Sequence, residues 1–167
     1  MEKSSVISSK TRGRVGVYVI SIAIALGVGG LSALLTMGNM DIYTELRQPP
    51  LAPPAILFPI VWTLLYILMG ISSAMVYTNR LGFREAAKKG LTAYAVSLVL
   101  NFSWSIIFFN LEAAFFALLV LVALLFSIIK TVIEYRKVFP TAAYLQIPYA
   151  LWVAFAGYLN AGIWLIN

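Results

Sequence analysis

Residues 15–37 read VGVYVISIAIALGVGGLSALLTM, a run without one charged side chain. A helix needs about 20 apolar residues to cross the hydrocarbon core of a bilayer, so this run is long enough to span it. Further apolar runs follow at 55–78, 91–110, 113–133 and 142–166. Lys130 interrupts the fourth, the shortest, and from there its ammonium can snorkel to the interface. Gly38-Asn39, Pro49, Pro50, Pro53, Pro54, Asn79, Gly82 and Pro140 stand at the breaks, where helix-stopping chemistry belongs. The expected fold is all-α: an integral membrane bundle of five transmembrane helices, with a basic tail at 1–14 and one membrane domain at 15–167.

Composition agrees. The 167 residues are 62% apolar and only 11% charged, with a mean hydropathy of +0.93; soluble domains carry about 25% charged residues. The chain has no Cys and no His, which excludes disulfides, thiol nucleophiles, His general bases and the usual zinc or haem ligation. No metal site is expected. The net charge of +6 fits basic loops that fix orientation better than a nucleic-acid partner.

Five spans place Lys3, Lys10, Arg12, Arg14, Arg80, Arg84, Lys88, Lys89, Lys130, Arg136 and Lys137 on one side, leaving Arg47 alone on the other. The positive-inside rule then puts the N-terminus inside and the C-terminus outside. The cations before the first run also suit a signal peptide. That run exceeds a usual h-region, however, and no clear small-x-small cleavage site breaks it, so a retained helix is expected. A short basic tail in place of an amphipathic presequence points to a bacterial cell membrane.

Loop 38–54 is the one long outer loop, and a connection of that length in so small a protein reads as functional. Below it, three spans carry aromatic stripes with polar members: Trp62 and Tyr66; Asn101, Trp104, Ser105 and Phe108; Pro148, Trp152, Phe155, Ala156 and Asn160. At 1.5 Å per residue, Trp62 lies about 11 Å, Trp104 about 9 Å and Trp152 about 21 Å below the outer end of its run. The stripes are expected to meet under the loop as a pocket for a flat, mostly apolar ligand, stacked by rings and oriented by amides. Taken alone, Asn101 reads as an interhelical hydrogen-bonding group. In the first run Ser21, Ala25, Gly29 and Ala33 recur every four residues, a small-residue face for close approach of another helix, of the same chain or of a second copy. A homodimer through this face is expected.

Three motifs carry a resemblance. The first is Tyr43, Leu46, Pro49, Pro53 and Pro54 running into Phe58, Trp62, Leu65 and Tyr66. The second is Leu100-Asn101-Phe102-Ser103-Trp104-Ser105 with Phe108-Phe109. The third is Pro148-Tyr149, Trp152, Phe155-Ala156, Leu159-Asn160 and Asn167. The chain resembles, from the first span onward, the TspO/MBR family of tryptophan-rich sensory proteins and translocator proteins (peripheral-type benzodiazepine receptors). The resemblance implies a five-helix bundle, often dimeric, whose first loop caps a pocket. That pocket takes porphyrins such as protoporphyrin IX and haem, and benzodiazepine or isoquinoline drugs; porphyrin is a ligand, and no cofactor is required. By motif, Tyr43, Leu46, Pro53, Phe58, Trp62, Tyr66, Asn101, Trp104, Trp152, Phe155 and Ala156 would line it. Ile42, Gln48 and Leu51 depart from the family's Trp, Lys and aromatic residue at those places. Val132, Tyr135 and Lys137 fit a loose sterol-recognition pattern, which by itself carries little weight.

The expected function is a membrane receptor or sensory protein for tetrapyrroles. The alternatives are a porphyrin transporter or a light-dependent porphyrin-degrading enzyme using Trp62 and Trp152. No Asp, Glu, Lys or Arg lies mid-span to couple transport to protons, and no His, Cys or in-membrane carboxylate pair supports acid–base catalysis.

Overall fold

The computed structural model describes residues 2–167, with side chains from Gly13 onward; Lys3, Lys10 and Arg12 of the basic tail lie outside the described side chains. Six α-helices are present among the described residues: α1 (Glu2–Thr36), α2 (Ile42–Glu45), α3 (Leu57–Asn79), α4 (Arg84–Ser105), α5 (Ala114–Val138) and α6 (Pro140–Ile166). Five are long and apolar enough to cross a membrane; α2 is a single turn inside the loop after the first span. Helix α1 packs on α3, α3 on α6, α6 on α5, α5 on α4, and α4 returns to α1, which closes the spans into a ring.

The helices outrun the charge-free stretches that announced them. Helix α4 starts at Arg84 and α5 continues through an exposed Lys130 to Val138. Charged residues end an apolar run without ending a helix, because Arg, Lys and Glu are good helix formers. Helix α6 starts at Pro140, where a missing N–H costs nothing, with Phe139 in extended backbone ahead of it. At its outer end α4 widens into a π-helical turn, Ile106–Asn110, closed by a bond from the Leu111 N–H to the Ile106 carbonyl at 3.1 Å. Such turns concentrate at functional sites, and this one carries Phe108 and Phe109.

Lipid tails are as apolar as Leu, so close packing and hydrogen bonds, not burial from water, hold membrane helices together. Both devices are present. A Cβ on Gly70 would lie 2.5 Å from Ile22 Cα, and one on Gly29 2.1 Å from Tyr66 Cε2. Ala25 is completely buried. Of the small-residue stripe Ser21, Ala25, Gly29 and Ala33, Ala25 and Gly29 pack inside the chain, Gly29 against α3, the same-chain partner that the sequence leaves open beside a second copy. Among the polar clasps, Ser72 Oγ donates to the Ala142 carbonyl (2.7 Å) and accepts from Gln146 Nε2 (3.1 Å), tying α3 to α6. Ser127 Oγ donates to the Ala93 carbonyl at 2.8 Å and ties α5 to α4. Tyr135 is fully buried against Gly90, so the tyrosine of the sterol-like pattern does not face lipid.

Loop 38–54 lies over the outer end of α6. Asn167 Oδ1 accepts from the Arg47 N–H (2.9 Å), Asn167 Nδ2 donates to the Arg47 carbonyl (3.1 Å), and Tyr158 OH donates to the Pro50 carbonyl (2.8 Å). Pro49 sits over Gly162, where a Cβ would come within 2.6 Å of it. Leu51 stands at φ 66° and is 82% exposed. A left-handed Leu is strained and gains nothing here from packing. Leu51→Asn should raise the stability of the detergent-solubilised protein by about 1 kcal/mol, read as a higher midpoint in a thermal melt.

Candidate functional site: an aromatic cavity under the outer loop

The outer half of the ring is filled with rings. Trp62 of α3 contacts Tyr66 (5.7 Å between centroids), Trp104 (6.3 Å) and Tyr149 (6.1 Å). Trp104 stacks on Phe108 at 5.7 Å and meets Phe109 edge-on at 6.1 Å. From the loop, Tyr43 meets Phe58 at 4.9 Å, and its hydroxyl donates to the Pro53 carbonyl at 3.1 Å. Burial raises the Tyr43 phenol above its ordinary pKa, so at neutral pH it keeps the proton that this bond needs.

A chain of amides and hydroxyls runs through the cluster. Tyr66 OH donates to Asn101 Oδ1 (3.0 Å), and Asn101 Nδ2 donates to Tyr149 OH (3.0 Å). Trp104 Nε1 donates to Asn160 Oδ1 (3.1 Å), and Asn160 Nδ2 to the Ala114 carbonyl (2.7 Å). Asn101 thus fulfils the interhelical role its sequence position allows, joining α3, α4 and α6. A polar group in a spanning helix must find a partner inside the protein, and this arrangement satisfies both ends of two buried amides. Asn101→Leu keeps the volume but strips partners from two hydroxyls; it should cost about 1–3 kcal/mol, measured as lost folded fraction after a heat challenge.

Two hollows open beside this network. One of about 110 Å³ lies between α1, α3 and α4, and Phe58, Trp62, Tyr66, Asn101, Trp104 and Ser105 form one wall of it. Ser32, Ala33 and Thr36 of α1 face them. The other, about 20 Å³, lies beneath Tyr43, between Phe58, Trp104, Phe108, Ala156 and Asn160. Nine of the sequence-selected residues are thus gathered at one place: Tyr43, Phe58, Trp62, Tyr66, Asn101, Trp104, Ser105, Phe108 and Ala156. Four stand apart. Leu46 turns to a separate outer cleft beside Ile42, Phe115 and Trp164, and Pro53 contributes its carbonyl to Tyr43. Trp152 and Phe155 are half-buried on the flank of α6, Trp152 touching Phe58 at 5.9 Å and Phe155 at 5.7 Å. The inward face of α6 is instead Tyr149, Val153, Ala156 and Asn160, all buried. Asn160 belongs to the α6 stripe read from the sequence; Tyr149, eleven residues before it and absent from that stripe, shares its helical face.

The departures in the loop fall away from the hollows. Leu51 points to solvent, Ile42 lines the outer cleft, and Gln48 Nε2 donates to the Tyr43 carbonyl, bracing the turn that presents Tyr43.

Five spans in this order, a Pro-rich loop seated on the last, and a Trp–Asn network beneath it accord with the sequence comparisons. The TspO/MBR family model matches residues 20–165. The chain belongs to the TspO/MBR family. Among its relatives in that family, protein CrtK of Rhodobacter capsulatus is 36% identical, covering 90% of this chain and 91% of its own. Tryptophan-rich protein TspO of Chlorobaculum tepidum is 35% identical, over 89% and 92% respectively. The translocator protein of Bos taurus is 36% identical, over 83% of each chain. The TspO/MBR membership and the five apolar helices make this an integral membrane protein, and a general sensory or translocator role in the membrane fits both.

Proposed function

We propose that this TspO/MBR protein binds tetrapyrroles such as protoporphyrin IX or haem, and isoquinoline or benzodiazepine-type ligands, in the aromatic cavity between α1, α3 and α4. The observation that carries the reading is the wall formed by Phe58, Trp62, Tyr66 and Trp104 with the Asn101 amide at its base. Flat apolar rings gain from offset or edge contact with such side chains, and a buried amide offers one directional hydrogen bond.

The present hollow is too small for a macrocycle. Ligand pockets run to about 300–1,000 Å³, against about 110 Å³ here. Binding therefore requires that the rings part and the loop lift. The loop's hydrogen bonds to α6, Arg47–Asn167 and Tyr158–Pro50, lie at exposed positions, where water can replace them cheaply; its one buried seat there is Pro49 over Gly162. Sensing would follow from this opening, since a ligand that binds only the opened loop shifts its population. The N-terminus lies on the basic, cytoplasmic side in this reading.

Equilibrium dialysis of protoporphyrin IX against the detergent-solubilised protein in the dark tests the reading. Saturable uptake, displaced by an isoquinoline, is expected. Uptake that stays linear and indifferent to the competitor would end it.

A further inference from the structure

A further hollow lies at the other end of the bundle, on the side that carries the N-terminus. Its volume is about 330 Å³, and it is lined by Val17, Ile20, Ser21 and Ile24 of α1, Ser73 and Tyr77 of α3, and Leu91 and Tyr94 of α4. Ile20 and Ile24 are more than half exposed, so it opens sideways toward the hydrocarbon and not toward the aromatic cavity. Its walls are apolar but for the hydroxyls of four side chains, Ser21, Ser73, Tyr77 and Tyr94. Tyr94 is only 7% exposed, and its hydroxyl has no hydrogen-bond partner.

A cation stands three residues beyond the outermost lining residue of each of the three helices, on the same helical face in α1 and α4 and in the 3-10 turn after α3. Arg14 stands three residues before Val17, Arg80 three after Tyr77, and Lys88 three before Leu91. Because α3 runs opposite to α1 and α4, all three lie at the same end. Arg80 is held there: its guanidinium sits 3.7 Å over the Tyr77 ring. Arg14 and Lys88 are exposed. The carboxylates described at this end are Glu85, on the first turn of α4, and Glu134, paired with Lys137 at 2.8 Å. That pair is the only salt bridge among the described residues, so the collar keeps its charge.

We propose that this hollow is a site for one anionic glycerophospholipid, an acyl chain filling the apolar groove and the phosphate held by Arg14, Arg80 and Lys88. Basic pockets between transmembrane helices recognise acidic headgroups in this way. The groove selects a chain and the collar selects a charge, so a neutral lipid satisfies half the site and free phosphate the other half. The site is independent of the tetrapyrrole reading, sharing no lining residue with the aromatic cavity.

Native mass spectrometry of the full chain, stripped of lipid and then offered dioleoyl phosphatidylglycerol or phosphatidylcholine, tests the proposal. One phosphatidylglycerol should be retained at least tenfold better than phosphatidylcholine, and millimolar inorganic phosphate should not displace it. Arg14→Gln with Arg80→Gln and Lys88→Gln should abolish the preference, while Arg84→Gln with Lys89→Gln and Lys137→Gln should leave it within twofold. Ser21→Phe, which fills the groove and leaves every charge in place, should lower retention tenfold. Equal retention of the two lipids by the wild type overturns the site. An equal loss in the control triple variant, full retention by Ser21→Phe, or displacement by phosphate does so too. Should the triple variant fail to fold, Arg80→Gln alone and Ser21→Phe decide.

Discussion

Gly70→Leu should prevent recovery of a folded bundle, and even Gly70→Ala should cost about 1–3 kcal/mol, the usual penalty of overpacking. The Cβ of either residue would stand 2.5 Å from the Cα and 2.9 Å from the backbone nitrogen of Ile22. Backbone atoms of a helix cannot turn aside as a side-chain tip can, so α1 must retreat as a unit. That retreat also uncovers Ala25 and pulls Gly29 from Tyr66, whose hydroxyl anchors the Asn101 network. Gly27→Leu is the matched control, because Gly27 is exposed with nothing within 4 Å of its Cβ position; it should be neutral. The monodisperse fraction on size exclusion after a graded heat challenge reads both.

Trp62→Ala should weaken protoporphyrin IX binding by tenfold or more, and Trp152→Ala by about threefold or less. Loss of a buried aromatic stacking partner is worth about 1–3 kcal/mol. Trp62 forms part of the cavity wall and touches three other rings. Trp152 lines neither hollow and meets the rings of the cluster at Phe58, 5.9 Å away. The two substitutions thus separate the residues that motif and depth treated alike. Dark equilibrium dialysis of each variant measures the ratio; equal losses would place the ligand on the α6 flank.

The fold was legible because a bilayer imposes a crude demand. Twenty or so apolar residues without charge must be a span, and Pro, Gly and the one-sided cations marked the turns. Helix ends were less so: Arg84–Gly90 and Lys130–Val138 continue as helix past the apolar run, where composition changes but propensity does not. The partner of a small-residue face cannot be read from the face itself. Gly29 and Ala25 announce close approach, and only the packed structure shows that α3 approaches. On α6, the large rings of Trp152 and Phe155 stand on the flank, while the buried face is marked by Tyr149, Val153, Ala156 and Asn160 at intervals of four, three and four. The π-turn at Ile106–Asn110 has no sequence signature at all, yet it sets where Phe108 and Phe109 enter the site.

Opening of the Trp62 cavity to a tetrapyrrole is tested by titrating protoporphyrin IX into the purified protein in the dark while following tryptophan fluorescence, with Trp62→Phe and Trp164→Phe alongside. Trp164 lies at the exposed outer end of α6 against Phe115 and serves as the reporter outside the site. Saturable quenching at micromolar ligand is expected, its amplitude falling sharply in Trp62→Phe and little in Trp164→Phe. Linear quenching, or quenching carried by Trp164 and untouched by Trp62→Phe, would contradict it.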